Sequence, residues 1–181
     1  MTQPALHSDS AGGTGPGGAY SAADLRTAYS IPMHLSPDKT ETVAVFEQGG
    51  FDLNDIKKYE NENNLPGVPV KVRNVNGYQG AINDPAVELE AVLDVDMVIG
   101  INPAVKEVEV YEDGDDPFEV ALLDALAAIA NDNTAQTISI SYGTDELIQG
   151  STQIAAEGIL FQQLAAQGQT VLVSAGDQGA R

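Results

Sequence analysis

Thr42-Val43-Ala44-Val45-Phe46-Glu47-Gln48-Gly49-Gly50 is the stretch that decides the fold. Its run from Thr42 to Phe46 has no polar alternation, which predicts a strand buried on both faces, and Gly49-Gly50 then turn the chain. A polar helix follows from about 52 to 63. A buried strand, a glycine turn and a helix form the opening unit of a parallel α/β sheet.

The same alternation continues outward in both directions. Upstream, Ser21 caps a short helix that runs to Tyr29. Downstream, Val68-Pro69-Val70-Lys71-Val72 reads as a second strand. Asp84 caps and Pro85 starts a helix that ends near Asn102-Pro103. Residues 105–111 alternate Val with Lys and Glu, the pattern of a strand with one wet face. Asp116-Pro117 opens an Ala- and Leu-rich helix to about Ala130, and Thr137-Ile138-Ser139-Ile140-Ser141 is another apolar strand. A helix from about 152 to 167 stops at Gly168, and Thr170-Val171-Leu172-Val173-Ser174 is the last strand. Continuous apolar strands alternating with helices predict a mostly parallel sheet covered by helices on both faces. The chain ends at Arg181, soon after a strand, so a piece of a longer domain is expected.

Residues 1–19 are rich in Ser, Gly and Pro and are expected to be a flexible tail, leaving 20–181 as the folded portion. Gly12-Gly13-Thr14-Gly15-Pro16-Gly17-Gly18 has a phosphate-loop flavour, but it follows no strand and lacks the Lys that reaches a phosphate, so it reads as linker. The N-terminus lacks the basic and apolar regions of a secretory signal, and no apolar run reaches membrane-spanning length.

The 181 residues carry 27 Asp and Glu against eight Lys and Arg, a net charge of −19. That surface repels nucleic acid and anionic lipid, so neither is an expected partner. It suits low pH, where protonation relieves the repulsion, or high salt, where ions screen it. With no Cys, thiol nucleophiles, disulfides and thiolate metal sites are excluded.

The chemistry concentrates on carboxylates. In Glu90-Ala91-Val92-Leu93-Asp94 two acids stand one helical turn apart, about 40° from each other around the axis. Like charges at this spacing cost about 0.2–0.5 kcal/mol, and so apolar a helix has no structural need of them. If buried, they share a proton and their titrations move apart, leaving one as base and one to hold it; the plainer alternative is two solvated acids. Glu88 and Asp96 fall on another side. The two histidines, His7 and His34, lie in the tail and in a loop, so a Ser–His–Asp triad has little support. A carboxylate would then be the base for any activated hydroxyl, and it works best in acid.

Two glycine-marked strand ends complete the set. Ser139-Ile140-Ser141-Tyr142-Gly143 and Ser174-Ala175-Gly176-Asp177-Gln178-Gly179 end at the carboxyl edge of a parallel sheet, where ligands bind. Asp177, held neutral, could donate a hydrogen bond to a developing oxyanion; alternatively it is a turn residue bonding its own backbone.

In order along the chain, Asp24-Leu25-Arg26-Thr27-Ala28-Tyr29, Val43-Ala44-Val45-Phe46-Glu47-Gln48-Gly49-Gly50, Glu90-Ala91-Val92-Leu93-Asp94, Pro103-Ala104, Ser139-Ile140-Ser141-Tyr142-Gly143 and Ala175-Gly176-Asp177 resemble the sedolisin family of serine-carboxyl peptidases. The resemblance implies a subtilisin-like fold, extracellular action and endopeptidase activity on polypeptides at acidic pH. By position, Glu90 resembles the general base, Asp94 the acid that orients it, Asp177 the oxyanion-site acid and Glu47 a supporting carboxylate. Ser141, Tyr142 and Gly143 match the segment that pairs with the substrate backbone, and Tyr142 stands where relatives often carry Trp.

The family's nucleophilic Ser, in a Gly-Thr-Ser motif, lies beyond the position of Asp177, and no Gly-Thr-Ser occurs in this chain. The family's calcium site also lies further on, so calcium is expected for the full-length domain, no metal ligand is assigned here, and the missing C-terminal half is an expected partner. The resemblance thus implies a chain that holds the base, its partner and the oxyanion acid and is inactive alone. The alternative is a non-catalytic peptide-binding module on the same scaffold.

Overall fold

The computed structural model describes residues 12–32, 41–144 and 146–177; His7, His34, Gln178 and Gly179 fall outside them. Helix α1 (Ala22–Ala28) precedes strand β1 (Thr42–Glu47), α2 (Leu53–Glu62), β2 (Val70–Asn74), α3 (Pro85–Ile101) and β3 (Glu107–Glu112). There follow α4 (Phe118–Asp132), β4 (Thr137–Ile140), the short α5 (Glu146–Gln149), α6 (Ser151–Ala166) and β5 (Thr170–Val173). The five strands form one sheet in the order β2-β3-β1-β4-β5, and every pairing is parallel.

The period-two alternation of β1 divides the core. Val43 and Val45 face α2 and α3, meeting Ile56, Ala91, Val95 and Ile99. Ala44 and Phe46 face the opposite layer, packing with Leu122, Leu126 and Ile129 of α4 and Leu164 of α6. Both faces of the central strand are therefore covered, which is why its sequence runs apolar without alternation.

The helix starts follow their capping residues. Asp84 accepts from the Ala86 N–H at 2.9 Å, with Pro85 as first helical residue, and Asp52 does the same for Asn54 at 2.9 Å. Ser21 and Asp24 form a reciprocal capping box on α1. Ahead of it, Gly13 N–H donates to the Gly18 carbonyl at 2.7 Å and Thr14 N–H to Asp24 at 2.8 Å, so residues 12–19 form a glycine turn on that helix end.

Two strands differ from expectation. The second begins at Val70, not Val68; the Val68 N–H donates instead to the buried Glu60 carboxylate at 2.7 Å. The wet face expected of β3 is absent, because β3 lies inside the sheet between β2 and β1 and all six of its residues are buried. Two of its acids, Glu107 and Glu109, are paired rather than solvated. Glu107 meets Lys71 at 2.5 Å and Lys106 at 3.2 Å, and Glu109 meets Arg73 at 2.6 Å and the Thr134 hydroxyl. At the other end of the sheet, β5 forms an edge with Leu172 and Val173 exposed.

Candidate active site

The carboxyl ends of the strands carry a line of polar residues on the α3 side. Asn74, Glu112 and Glu47 are register partners across β2, β3 and β1. One step past the register pair Phe46–Ile140 lies Ser141, and one step past Ile140–Val173 lies Ser174. Helix α3 lies over this line because Gly49 and Gly50 let it close in. A Cβ on Gly49 would stand 2.6 Å from Val87 Cγ1, and one on Gly50 would stand 2.2 Å from the Gly80 carbonyl. The Gly50 N–H donates to the Ala81 carbonyl at 3.2 Å, which fixes the loop before α3 over the end of β1.

Three of the acids singled out in the sequence meet here. Glu47 is fully buried and accepts a hydrogen bond from the Tyr142 hydroxyl at 3.2 Å. Burial pushes its carboxyl up to about 9; the Asp94 charge adds to this, the Tyr142 hydroxyl opposes it, and the Glu90 charge adds further. Glu47 thus holds a proton at neutral pH, beside Asp94. Asp94 is half-buried and accepts from Ser141 Oγ at 2.6 Å. Its own carboxyl is raised by burial, with the Ser141 and Glu47 hydrogen bonds pulling the other way.

Glu90, one turn earlier on α3, is also half-buried. Its carboxyl is raised first by burial, then by Asp94, and then by Asp177 across from it at the end of β5. Asp177 is exposed on its loop, after a left-handed Gly176. The two acids of α3 are therefore not simply solvated: Asp94 and Glu90 bear on Glu47, and Asp94 and Asp177 bear on Glu90, at the strand ends. In a site of this kind one carboxyl keeps a proton, its neighbour is oriented, and the outermost is free to accept a proton from a substrate or a hydroxyl.

Tyr142 stacks edge-on against Phe46, with ring centroids 5.7 Å apart, so its hydroxyl is aimed at Glu47 by core packing. Burial raises the phenol, and the Glu47 charge adds to that. Gly143 follows, exposed, with open space where a side chain would be.

No family model matches this chain. Individual relatives do. Kumamolisin of Bacillus sp. (strain MN-32) is 29% identical over 168 residues, covering 89% of this chain and 29% of that protein. Sedolisin of Pseudomonas sp. (strain 101) is 29% identical over 177 residues, covering 93% of this chain and 29% of its own length. Xanthomonalisin of Xanthomonas sp. (strain T-22) is 38% identical over 105 residues, covering 54% of this chain and 13% of its own. Among solved structures, Pseudomonas sedolisin, a serine-carboxyl proteinase complexed with two molecules of pseudo-iodotyrostatin, superposes with a TM-score of 0.72 at 26% identity. The chain is thus similar, in sequence over most of its length and in fold, to peptidases of the sedolisin family.

The chain has the subtilisin-like fold of that neighbour, and the relatives it resembles are serine-carboxyl peptidases. It spans 42% of the Pseudomonas sedolisin chain and under a third of the curated relatives' length. No helix among the described residues is long and apolar enough to cross a membrane.

Two features of this site were not foreseen. Glu112 is fully buried next to Glu47 in the register, and burial pushes its carboxyl up to about 7. Its Oε2 has no hydrogen-bond partner and lies 3.2 Å from where a Gly80 Cβ would be. An acid ending a strand was its only signal. The second is the Ser141 side chain, which bonds Asp94, a role beyond membership of the substrate-pairing segment.

Of groups that could hold a cation, the described residues contain one, Asp113, Asp116 and Asp124 between β3 and α4. Asn76 Nδ2 donates to all three, at 3.3, 3.4 and 2.6 Å. Asp96, on another side of α3, borders a cleft of about 390 Å³ with Asp55, Tyr59 and Glu88. Its carboxyl is pushed up to about 7 by burial first, then by Glu60 and Asp55.

Proposed function

We propose that this chain supplies the base side of a serine-carboxyl endopeptidase site working in acid. Glu90 takes the proton of a serine hydroxyl as its oxygen attacks the peptide carbonyl. Asp94 orients Glu90 and balances the charge it acquires, and Glu47 holds Asp94 through a shared proton. Asp177 donates a hydrogen bond to the oxyanion that forms. Ser141, Tyr142 and Gly143 pair with the substrate backbone. The proton on Glu90 then goes to the leaving amine, and water, deprotonated by the same carboxylate, releases the acyl group. The attacking serine comes from a Gly-Thr-Ser motif that these 181 residues do not contain, so the chain by itself is inactive. Extracellular action and a calcium ion bound elsewhere in the full domain accompany this reading.

The observation that carries it is the position of Glu90, half-buried and within electrostatic reach of both Asp94 and Asp177. A base needs a raised proton affinity to act, and burial beside an acid supplies one. The half-buried setting also excludes water from the shared proton without closing Glu90 off from a substrate.

The test is complementation. The chain is fused to the C-terminal segment of Pseudomonas sedolisin that carries Gly-Thr-Ser, and peptide cleavage is followed from pH 3 to 7. Cleavage should appear on the acid side and fall by at least about a hundredfold in Glu90→Gln. Unchanged turnover in Glu90→Gln would refute the mechanism. A folded fusion that binds peptide without cutting it would favour the peptide-binding module instead.

A further inference from the structure

We propose that Ser141 is a positioning residue whose hydroxyl holds Asp94 and whose carbonyl, held by Ser174, ties that carboxylate to β5 and the loop carrying Asp177. The proposal rests on the site described above and adds to it a role for a side chain otherwise counted only through its main chain.

The geometry is a connected series. Ser141 Oγ donates to Asp94 Oδ2 at 2.6 Å, the length of a hydroxyl bond to an ionised carboxylate. The Ser141 carbonyl accepts from Ser174 Oγ at 2.9 Å. The Ser174 N–H donates to the Ile140 carbonyl at 3.0 Å, continuing the parallel ladder one step beyond the strands. Asp94 is therefore held by Ser141 from the end of β4, while Glu47 at the end of β1 acts on it electrostatically. Ser174 stands three residues before Asp177, so the same hydrogen bonds reach the base of that loop.

The hydroxyl does what no neighbour can. Glu47 offers one proton and is itself an acid, so the Glu47–Asp94 pair alone leaves the shared proton free to sit on either carboxyl. A donor that cannot be ionised, placed on Asp94, favours the charge there and so the proton on Glu47. Asp94 is then the anion that Glu90 needs beside it when Glu90 accepts a proton. The titratable groups bearing on the arrangement are Glu47 from β1, Glu90 on the same helix, Tyr142 through Glu47 and Asp177 through Glu90.

The experiment needs neither the nucleophile nor a peptide. In the full 181-residue chain, carboxyl carbon resonances of Glu47, Asp94 and Glu90 are followed by NMR as pH is varied. Ser141→Ala should raise the Asp94 midpoint by about one pH unit, and Ser141→Thr should restore it to within a few tenths. In the unaltered chain the Ser141 Cβ resonance should titrate with the Asp94 midpoint, which decides the matter even where the Ala variant does not fold. An Asp94 midpoint unmoved by Ser141→Ala in a chain with native amide shifts, or a Ser141 Cβ resonance flat through that midpoint, overturns the proposal. Either result stands apart from the cleavage assay of the fusion: lost cleavage with these titrations intact would reject the peptidase reading alone.

Discussion

The charge of Asp94 on α3 adds to burial in raising the carboxyl of Glu47 at the end of β1, so the fully buried Glu47 is the acid that keeps its proton. Two neighbouring acids under a helix would repel one another if both were charged. Here the repulsion is removed by protonating the member with less access to water, which leaves a charge on the member that has a hydroxyl donor. The same pairing that orders the site therefore makes folding take up a proton.

The first prediction concerns pH. Glu47 is raised from 4.5 to about 9 and Glu112 from 4.5 to about 7, so both bind their protons more tightly folded than unfolded. Their contribution is complete below about pH 4.5 and is lost as pH rises, at about 1.4 kcal/mol per pH unit for each group titrating. Asp24 and Glu107 are lowered, Asp24 by the Ser21 backbone N–H and Glu107 by Lys71, and their contribution starts to fall below about pH 4 and, for Asp24, is lost only as pH passes through about 2. Stability should peak near pH 4–5 and fall toward pH 9. Urea denaturation from pH 3 to 9 checks this, and a maximum at pH 7 or above would contradict it.

The second isolates Glu47. Glu47→Gln keeps the shape, offers N–H donors toward Asp94 and a carbonyl toward Tyr142, and removes the proton uptake. At pH 7 the variant should be about 2–3 kcal/mol more stable than the parent, with a flatter stability curve between pH 5 and 9. Glu47→Ala leaves a buried hole and should cost about 2–5 kcal/mol at pH 5. Paired urea curves at pH 5 and 7 separate the two effects.

How much of this was legible in the sequence differs from strand to strand. The uninterrupted apolar run of β1, the Asp84-Pro85 helix start and the glycines after Glu47 are local signals with local consequences, and the structure agrees with them. The one-turn spacing of Glu90 and Asp94 is likewise a helix property and survives intact. The burial of Glu107 and Glu109 was not legible, because their partners Lys71 and Arg73 come from the neighbouring strand β2. Strand order is a tertiary fact that periodicity does not encode, so alternation of Val and Glu reads as a wet face. Glu112 was missed for the same reason: nothing near it in sequence says that the end of β3 lies beneath a loop.

The third prediction tests that cross-strand pairing. Glu109 is fully buried, whereas Arg73 is substantially exposed along its side chain. Arg73→Ala leaves the carboxylate with the Thr134 hydroxyl alone and should cost about 3 kcal/mol, since an unpartnered buried charge is expensive. Arg73→Ala combined with Glu109→Gln should recover most of the loss. Thermal unfolding of the single and double variants decides it; equal destabilisation in both would mean the pair is not what holds β2 to β3.

The fourth concerns the turn that lets α3 close over the site. A Cβ on Gly50 would sit 2.2 Å from the Gly80 carbonyl, a backbone atom that cannot swing aside, whereas on Gly49 it would meet Val87 Cγ1 at 2.6 Å, the tip of a side chain. Gly50→Ala must therefore move the loop before α3, at about 2–4 kcal/mol, and Gly49→Ala should cost less because Val87 can turn. If Gly50 holds the helix in place, its substitution should also loosen the Glu47–Asp94 contact and lower the Glu47 midpoint seen by NMR. A Gly50→Ala chain as stable as its parent, with an unchanged Glu47 midpoint, would show that α3 does not depend on that close approach.

The last prediction follows from the edge of the sheet. Among the described residues strand β5 pairs only with β4 and forms the edge of the sheet, with Leu172 and Val173 exposed there. Such an edge adds strands from other chains unless something covers it. Acidic self-repulsion at net charge −19 opposes association at neutral pH and low salt, but weakens as pH falls or salt rises. The chain should therefore be largely monomeric at pH 8 and low ionic strength and associate at pH 4–5, where its fold is most stable. Leu172→Lys places a charge on the edge and should suppress that association while leaving the unfolding transition within about 0.5 kcal/mol. Sedimentation velocity across pH distinguishes the cases, and a Leu172→Lys chain that associates as the parent does would place the contact elsewhere on the molecule.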